Sequence, residues 1–313
     1  MWGYLIRRIF AVIPVMLVVA VIVFLMLRLT PGDPAAKIAG DAATSQDIAQ
    51  LRTELGLDRP LPIQFGIWIG DMLTGDFGES FYYKRPVSSM IADGVEPTVS
   101  LAIFTMVLAC FIAVPLGTWA AYRQGSWIDR AVMGFSVVGF SVPVFVIGYI
   151  LVYVFSVQLD WFPVQGYQPI GEGIGGWAYR LILPSLALSV IFVALIGRIT
   201  RTSVLEVLNE DYVRTARAKG LSQRKVLLRH ALRNAAVPIV TVIGIALAIV
   251  ISGVVVTESV FAIPGLGSLT LDAIQGGDYP TVQALIILFS VVYVLINLLV
   301  DVLYTLLDPR IRY

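Results

Sequence analysis

The sequence has few charged residues. Asp, Glu, Lys and Arg make up 14% of its 313 residues and hydrophobic residues 58%, whereas a soluble domain has about 25% charged and about 45–50% apolar residues. An ordinary water-soluble globule is therefore excluded. Lys plus Arg (22) nearly balance Asp plus Glu (21), so no excess of positive charge points to nucleic acid as a partner.

Residues that support catalysis or metal binding are also scarce. Cys110 is the single cysteine and His230 the single histidine. One cysteine excludes an intrachain disulfide and a cysteine-cluster metal site, and one histidine removes most histidine-based metal chemistry. No Gly-Lys dipeptide occurs, so the chain lacks the phosphate-binding loop that cradles ATP. We predict no catalytic residues, no metal site and no bound cofactor.

Six long runs contain no Asp, Glu, Lys or Arg. They are residues 9–27, 98–122, 131–158, 181–197, 235–257 and 279–300. Each is about as long as a bilayer-crossing helix, roughly 17–25 residues, and none shows the polar stripe of a soluble core helix. The sequence predicts an all-α integral membrane protein with six transmembrane helices. No small-residue cleavage site follows the first run, so we expect it to be retained.

The distribution of basic residues predicts the orientation. With both termini in the cytoplasm, the cytoplasmic segments hold 15 of the 22 Lys and Arg residues. Five of the other seven lie in the long segment 30–97, where the positive-inside rule carries little weight. We therefore predict a multi-pass membrane protein with both termini cytoplasmic.

The external segment 30–97 is long enough to carry structure of its own. Ser45 is a predicted N-cap for a helix in which Ile48 and Leu51 share a face, and Gly56 is placed to end it. We interpret this segment as a small cap over the external helix ends. Direct contact with a ligand is the alternative.

The loop 198–234 between the fourth and fifth runs holds nine basic residues. Asn209 is a predicted cap for a helix with Asp211 in its first turn, and Gly220 stands where that helix would end. Ser222 can cap a second helix. The pattern predicts a short helix, a glycine turn and a second helix. A patch for anionic lipid headgroups is the alternative.

Residues 211–221 (DYVRTARAKGL) and 230–235 (HALRNA) resemble the cytoplasmic loop of ABC-transporter permeases of the bacterial dipeptide/oligopeptide class. Arg214-Thr215-Ala216 stands where the general permease pattern has Glu-Ala-Ala, with Gly220 at the right spacing. Further segments agree with the same class, in order along almost the entire chain. They are 31–34 (PGDP), 55–60 (LGLDRP), 75–78 (GDFG), 257–267 (TESVFAIPGLG), 277–280 (GDYP) and 307–312 (LDPRIR).

The resemblance implies a fold and a coupling site. It implies a type I ABC importer permease with an N-terminal tail and first span (1–29), an extracytoplasmic insert (30–97) and a permease core (98–313). The short loop helix would be a coupling helix that docks on an ATPase. Its packed contact would comprise Tyr212, Ala216, Gly220 and Leu221, its polar rim would comprise Arg214, Arg217 and Lys219, and Asp211 and Thr215 complete the predicted set.

The resemblance also implies partners. These are a second homologous permease subunit in a heterodimer, two ATPase subunits that bind ATP and Mg²⁺, and an extracytoplasmic binding protein, all at a bacterial inner (plasma) membrane. Residues 30–97 and 258–281 would meet the binding protein. Four acidic residues are the docking candidates: Asp33, Asp76, Glu258 and Asp278.

The predicted function is translocation of dipeptides or oligopeptides by alternating access, driven by the ATPases. An ATP-independent channel or secondary carrier for small polar solutes is one alternative, although carriers driven by ion gradients often place ionisable residues within their spans and these runs have none. An intramembrane enzyme is another, but no His, Asp or Glu lies at membrane depth to serve it. Relatives of this shape carry peptides, glutathione, haem or nickel chelates, so the resemblance leaves the cargo open.

Overall fold

A computed structural model describes residues 2–29, 35–36, 44–54 and 56–307, with side chains over 10–26, 35–36, 44–50, 52–53 and 56–302. Nearly all of this part is helical. The docking candidate Asp33, the 31–34 motif and residues 308–312 of the last motif lie outside the described residues.

Twelve α-helices are numbered here in chain order. They are α1 (Trp2–Leu29), α2 (Ser45–Glu54), α3 (Leu61–Thr74), α4 (Val87–Tyr122), α5 (Trp127–Ser141), α6 (Val144–Leu151), α7 (Ile174–Leu208), α8 (Asp211–Ala218), α9 (Gln223–Lys225), α10 (Ala236–Phe261), α11 (Leu266–Gln275) and α12 (Tyr279–Leu307). Two π-helical segments, Val152–Gln158 and Val226–Leu232, continue α6 and α9, and a 3₁₀ turn covers Ile170–Glu172.

All six predicted apolar runs fall on helices. Within the described residues, α4, α7, α10 and α12 are each long and apolar enough to cross a membrane, and α5 with α6 and its π-helical continuation would make a fifth crossing if the bent pair is one span. The described part of α1 carries a shorter apolar stretch, Phe10–Met26. The predicted all-α membrane fold is confirmed, and the count of six spans stays a prediction.

The third apolar run differs from the single helix that we predicted over 131–158. Val142 is extended (φ −94°, ψ 122°) and α6 starts after Pro143, so that the two halves meet at 105°. Pro143 has no backbone N–H with which to continue the hydrogen-bond ladder of α5. Pro115 and Pro184, by contrast, lie inside the continuous helices α4 and α7.

One compact unit comprises residues 95–268 and 295–307 of the described chain. Its core lies where α4, α7 and α10 pack, and includes Leu101, Leu188, Phe192, Ile196 and Val250. Small residues allow the close approach, as is usual between membrane helices. A Cβ on Gly117 of α4 would come within 2.5 Å of the Gly197 carbonyl oxygen on α7, and one on Gly139 of α5 would lie 3.0 Å from the Ala194 Cβ.

A second compact unit comprises residues 2–94 and 269–294. In this unit the Phe24 ring of α1 packs against Phe65 of α3, with ring centroids 5.2 Å apart, and against Trp68 at 5.7 Å. The Gln283 amide of α12 donates a 2.8 Å hydrogen bond to the Val23 carbonyl. Aromatic packing and one buried amide therefore join α1, α3 and α12.

The insert helix α2 begins differently from our prediction. The Thr44 hydroxyl, not Ser45, accepts the Asp47 N–H at 3.3 Å, and the Asp47 carboxylate accepts the Thr44 N–H at 2.9 Å. This reciprocal pair satisfies two backbone donors and starts the helix one residue earlier. The predicted stop is confirmed, since Gly56 has φ +63° and the Leu57 N–H donates to the Arg52 carbonyl at 2.9 Å.

Candidate functional site

The predicted coupling loop starts at the end of α7. Asn209 keeps a right-handed conformation (φ −90°, ψ −7°) at the end of α7, and Glu210 is the extended residue that precedes α8. The prediction that Asn209 caps α8 is therefore wrong. The physical reason is tertiary: burial of Val204 and Leu208 extends α7 up to the residue that we had assigned to the next helix.

Helix α8 is amphipathic, with a narrow buried face. Val213 and Ala216, three residues apart, have exposed fractions of 0% and 6%. Val213 belongs to a set of buried residues that we name the loop cluster: Ala121, Val204, Leu208, Val213, Val226, Ala231, Ala235 and Ile239. The inner face of α8 is thus fixed to the ends of the apolar helices by hydrophobic burial.

The outer face of α8 is polar and exposed. The Asp211 and Arg214 side chains are 96% and 70% exposed, and their 3.3 Å ion pair contributes little to stability at that exposure. Tyr212 is 43% exposed. Thr215, Arg217 and Lys219 are exposed too. The face carries more positive than negative charge and suits contact with a protein surface.

Two of the four residues that we predicted to pack against an ATPase pack against this chain instead. Ala216 is buried, and Leu221 is half-buried against the loop cluster. In the structure Ala216 and Leu221 therefore hold α8 in place, while Tyr212 and Gly220 stay accessible.

Gly220 ends α8 as the sequence predicted. It has φ +76°, its N–H donates to the Arg217 carbonyl at 3.0 Å, and the Leu221 N–H reaches back to the Ala216 carbonyl at 3.3 Å. This left-handed stop favours glycine. No atom outside the neighbouring residues lies within 4 Å of the position that a Cβ would take, so the requirement is conformational rather than steric.

The second helix packs back on the first. Ser222 occupies its N-cap position, although its hydroxyl makes no cap hydrogen bond, and much of the helix is π-helical. Leu227, Ala231 and Leu232 contribute its apolar stripe, and Arg224, Arg229 and Arg233 are exposed. The Asn234 amide donates to the Tyr212 hydroxyl at 2.7 Å and to the His230 carbonyl at 2.8 Å. This contact joins α8 to the entrance of α10.

An ion pair that the sequence pattern did not indicate anchors the end of α7. The Arg201 guanidinium donates to both Asp129 carboxylate oxygens, at 2.8 and 2.9 Å, and the Gly125 N–H donates to the same carboxylate at 2.9 Å. Asp129 is almost fully buried. The available signal was an acidic residue in the first turn of α5, beside a short basic loop. The pair positions the segment of α7 that leads to α8.

The acidic docking candidates occupy different environments. Asp76 is exposed, and its carboxylate accepts the Gly78 N–H at 3.0 Å. Glu258 and Asp278 have no exposed surface. This corrects the expectation for these two residues, because a side chain without exposed surface offers no contact to a docking protein.

Both buried carboxylates instead accept hydrogen bonds from hydroxyl groups and backbone N–H groups of neighbouring segments. Glu258 accepts hydrogen bonds from the Thr98 hydroxyl at 2.6 Å and the Ser268 N–H at 2.9 Å. Asp278 accepts from the Ser80 hydroxyl at 2.5 Å, the Phe81 N–H at 2.9 Å and the Thr281 hydroxyl at 2.6 Å. Buried carboxylates are stabilised by such donors.

Comparison with known proteins places the chain among transport components. Residues 113–313 match the family described as binding-protein-dependent transport system inner membrane component, and residues 1–102 match the N-terminal part of such membrane components. A probable peptide ABC transporter permease protein of Sinorhizobium fredii is 54% identical over 310 residues, covering 99% of both chains. A glutathione transport system permease protein of Salmonella choleraesuis is 45% identical over 313 residues, the full length of both chains.

Among solved structures, the MetNI methionine ABC transporter in an inward-facing conformation resembles this chain with a TM-score of 0.58. The match covers 70% of this chain and 96% of the other, at 17% identity. At that identity the likeness concerns the fold alone.

Proposed function

The chain belongs to the family of binding-protein-dependent transport system inner membrane components, and we propose that it is the permease subunit of an ATP-driven importer that translocates peptides. The family places it in the inner membrane as a multi-pass transport subunit, with the ATPase on a separate subunit and a substrate-binding protein as partner. The predicted ABC permease class is thereby confirmed.

Peptides are the proposed cargo. One full-length relative is named as a probable peptide permease and another as a glutathione permease. Glutathione is itself a tripeptide, so both names describe short chains of amino acids that carry free carboxylates. A dipeptide or oligopeptide is therefore the proposed substrate class.

The exposed outer face of α8 is the observation that carries the proposed mechanism. An eight-residue helix is held from behind by the loop cluster, ended by the Gly220 turn and tied to the second helix through Tyr212 and Asn234. This arrangement presents a rigid face to a partner. We place the ATPase there, with ATP and Mg²⁺ bound on the ATPase subunits, so that nucleotide-driven closure moves α8.

The rest of the assembly follows from this mechanism. A second homologous permease subunit would complete the pathway, and a second ATPase would drive it. Both termini would be cytoplasmic, which the positive-inside distribution supports. We assign 1–29 to the tail and first span, 30–97 to the extracytoplasmic insert and 98–313 to the core. The binding protein would dock on exposed parts of 30–97 and 258–281, among them Asp76.

Reconstitution tests the proposal. The purified complex with its ATPases and binding protein is placed in liposomes, and uptake of labelled dipeptides, tripeptides and glutathione is measured. We expect uptake that requires both ATP and the binding protein. Uptake that persists in ATP-depleted vesicles at a fixed ion gradient would instead support the channel or secondary carrier.

A further inference from the structure

A cavity of about 440 Å³ lies between α5 and α7. Its lining combines apolar surface, hydroxyl groups and one cation, from Met133, Ser136, Val137, Phe140, Ser141 and Arg198. The mechanism derived above uses none of these residues. A cation beside hydroxyl groups and apolar surface can bind a ligand that carries both an anionic group and an apolar group.

Arg198 has no acidic partner among the described residues. Its guanidinium carbon lies 5.5 Å from the centroid of the exposed Phe140 ring. Arg201, one turn further along α7, is occupied by both oxygens of Asp129. The charge of Arg201 is therefore neutralised within the chain, whereas the guanidinium of Arg198 is available to an external anion.

The position of Arg198 makes an external anion the expected partner. It follows directly on the apolar run 181–197 and belongs to a candidate membrane span. Side chains on a helix lean towards its N-terminus, so Arg198 leans towards the apolar run rather than towards Arg201. A charged group at the end of an apolar run needs a polar environment, and the cavity between α5 and α7 that Arg198 lines is one such environment.

The break between α5 and α6 is a second, independent indication that this cavity binds a ligand. Ser141 lines the cavity and is the last residue before the extended Val142 and Pro143. Irregular backbone within a membrane is tolerated where it is buried in protein or lines a water-filled cavity. Interrupted helices are also where transporters place their binding sites.

We propose that this cavity binds a carboxylate of the peptide during translocation. The inference rests on the proposed function and assigns a substrate contact within it. Arg198 donates two parallel hydrogen bonds to the carboxylate, the geometry that guanidinium groups favour. Val137 and Phe140 contact an apolar side chain of the peptide next to that carboxylate. The Ser141 hydroxyl donates to the Val137 carbonyl at 2.9 Å, and its oxygen remains able to accept a peptide N–H.

A comparison of a free peptide acid with its C-terminal amide tests the proposal. The complete transporter is reconstituted, its binding protein is loaded to equal occupancy with either form of one labelled tripeptide, and ATP-dependent uptake is measured. We expect the wild type to take up the acid about tenfold faster, the scale of a charged hydrogen bond. Arg198→Gln should slow uptake of the acid to the rate of the amide and leave uptake of the amide unchanged.

Arg123→Gln is the matched control. Arg123 also lies over an aromatic ring, that of Tyr122, at 5.9 Å, but does not line the cavity. This variant should keep the wild-type preference for the acid. Arg198→Lys, which keeps the charge without the two parallel donors, should give an intermediate preference.

Three results would overturn the proposal. They are a wild type without preference between acid and amide, an equal loss of both forms in Arg198→Gln, and a loss that appears only in bilayers containing anionic lipid. The last result would assign the same guanidinium to a lipid headgroup. Absence of any ATP-dependent peptide uptake by the wild type would instead reject the proposed function itself.

Discussion

The Thr98 hydroxyl of α4 donates a 2.6 Å hydrogen bond to the Glu258 carboxylate at the end of α10, and neither side chain has much exposed surface. The Thr98 oxygen in turn accepts the Leu266 N–H at 2.8 Å, and the second carboxylate oxygen accepts the Ser268 N–H at 2.9 Å. One buried acid therefore joins α4, α10 and the first turn of α11. A Cβ on Gly265 would collide with this carboxylate, so the glycine is required by close approach.

Glu258→Gln should destabilise the protein. The two carboxylate oxygens face two different donors, whereas an amide has one oxygen and turns its NH₂ group towards a donor. A buried donor left unpaired costs about 1–3 kcal/mol. Thermal unfolding in detergent should show a lower Tm for this variant. Glu206→Gln, at an exposed position on α7, should leave the Tm unchanged, and equal shifts for both would contradict the assigned role.

Gly220→Val should abolish ATP-dependent uptake while the protein remains in the membrane. A β-branched residue at φ +76° costs on the order of 1–3 kcal/mol of local strain, which displaces the end of α8. Co-purification with the ATPase subunits measures the effect.

Gly75→Val provides the comparison for Gly220. Gly75 also ends a helix in the left-handed conformation (φ +83°) with open space at its Cβ position, but that helix is α3, outside the coupling loop. This variant should carry similar strain and retain the ATPase. Loss of the ATPase in both variants would show that strain, rather than the position on α8, is responsible.

Asp129→Asn should leave Arg201 without its charged partner. Removing one member of a buried ion pair costs about 3–5 kcal/mol, and the Arg201 side chain, 20% exposed, places the expected loss near the lower end. Asp93→Asn is the matched control, because Arg85 and Asp93 form a 2.9 Å pair with both side chains more than half exposed. We expect that control to lose less than about 1 kcal/mol. Similar losses of Tm in the two variants would refute a structural role for Asp129.

Tyr212→Phe should reduce peptide uptake a few-fold without changing the amount of protein in the membrane. The change removes the hydroxyl that accepts the Asn234 amide at 2.7 Å and loosens α8 against the second helix. Asn234→Ala should give at least the same reduction, because it also removes the hydrogen bond to the His230 carbonyl. The double variant should show no further loss beyond Asn234→Ala, because the contact that the two residues share is already gone. Additive losses in the double variant would mean that the two residues act separately.

Local chemistry made parts of this structure predictable. The end of α8 was predicted from Gly220, because a left-handed helix stop favours glycine whatever surrounds it. The apolar helices were predicted from the absence of charged residues. The start of α8 was misplaced because packing of Val204 and Leu208 sets the end of α7, and packing partners are not visible in the local pattern.

Long-range contacts account for the remaining differences. Asp129 and Arg201 lie 72 positions apart, and Thr98 and Glu258 lie 160 apart. No spacing rule connects such pairs, so the buried positions of Asp129 and Glu258 could not be predicted from the sequence. The position of the helix break could not be predicted, because Pro115, Pro143 and Pro184 look alike in sequence. Only Pro143 follows a residue, Val142, that has left the helical conformation.

The loop cluster draws its side chains from α4, α7, α8, the π-helical segment and α10, through Ala121, Leu208, Val213, Val226 and Ile239 among others. Interiors packed to native density are nearly incompressible. A displacement applied to α8 therefore cannot be absorbed locally and is shared at once by three apolar helices. A movement of α8 by a bound partner would therefore tilt these helices together as a rigid body. The size of the tilt would depend on the length of the helices rather than on the strength of any single contact.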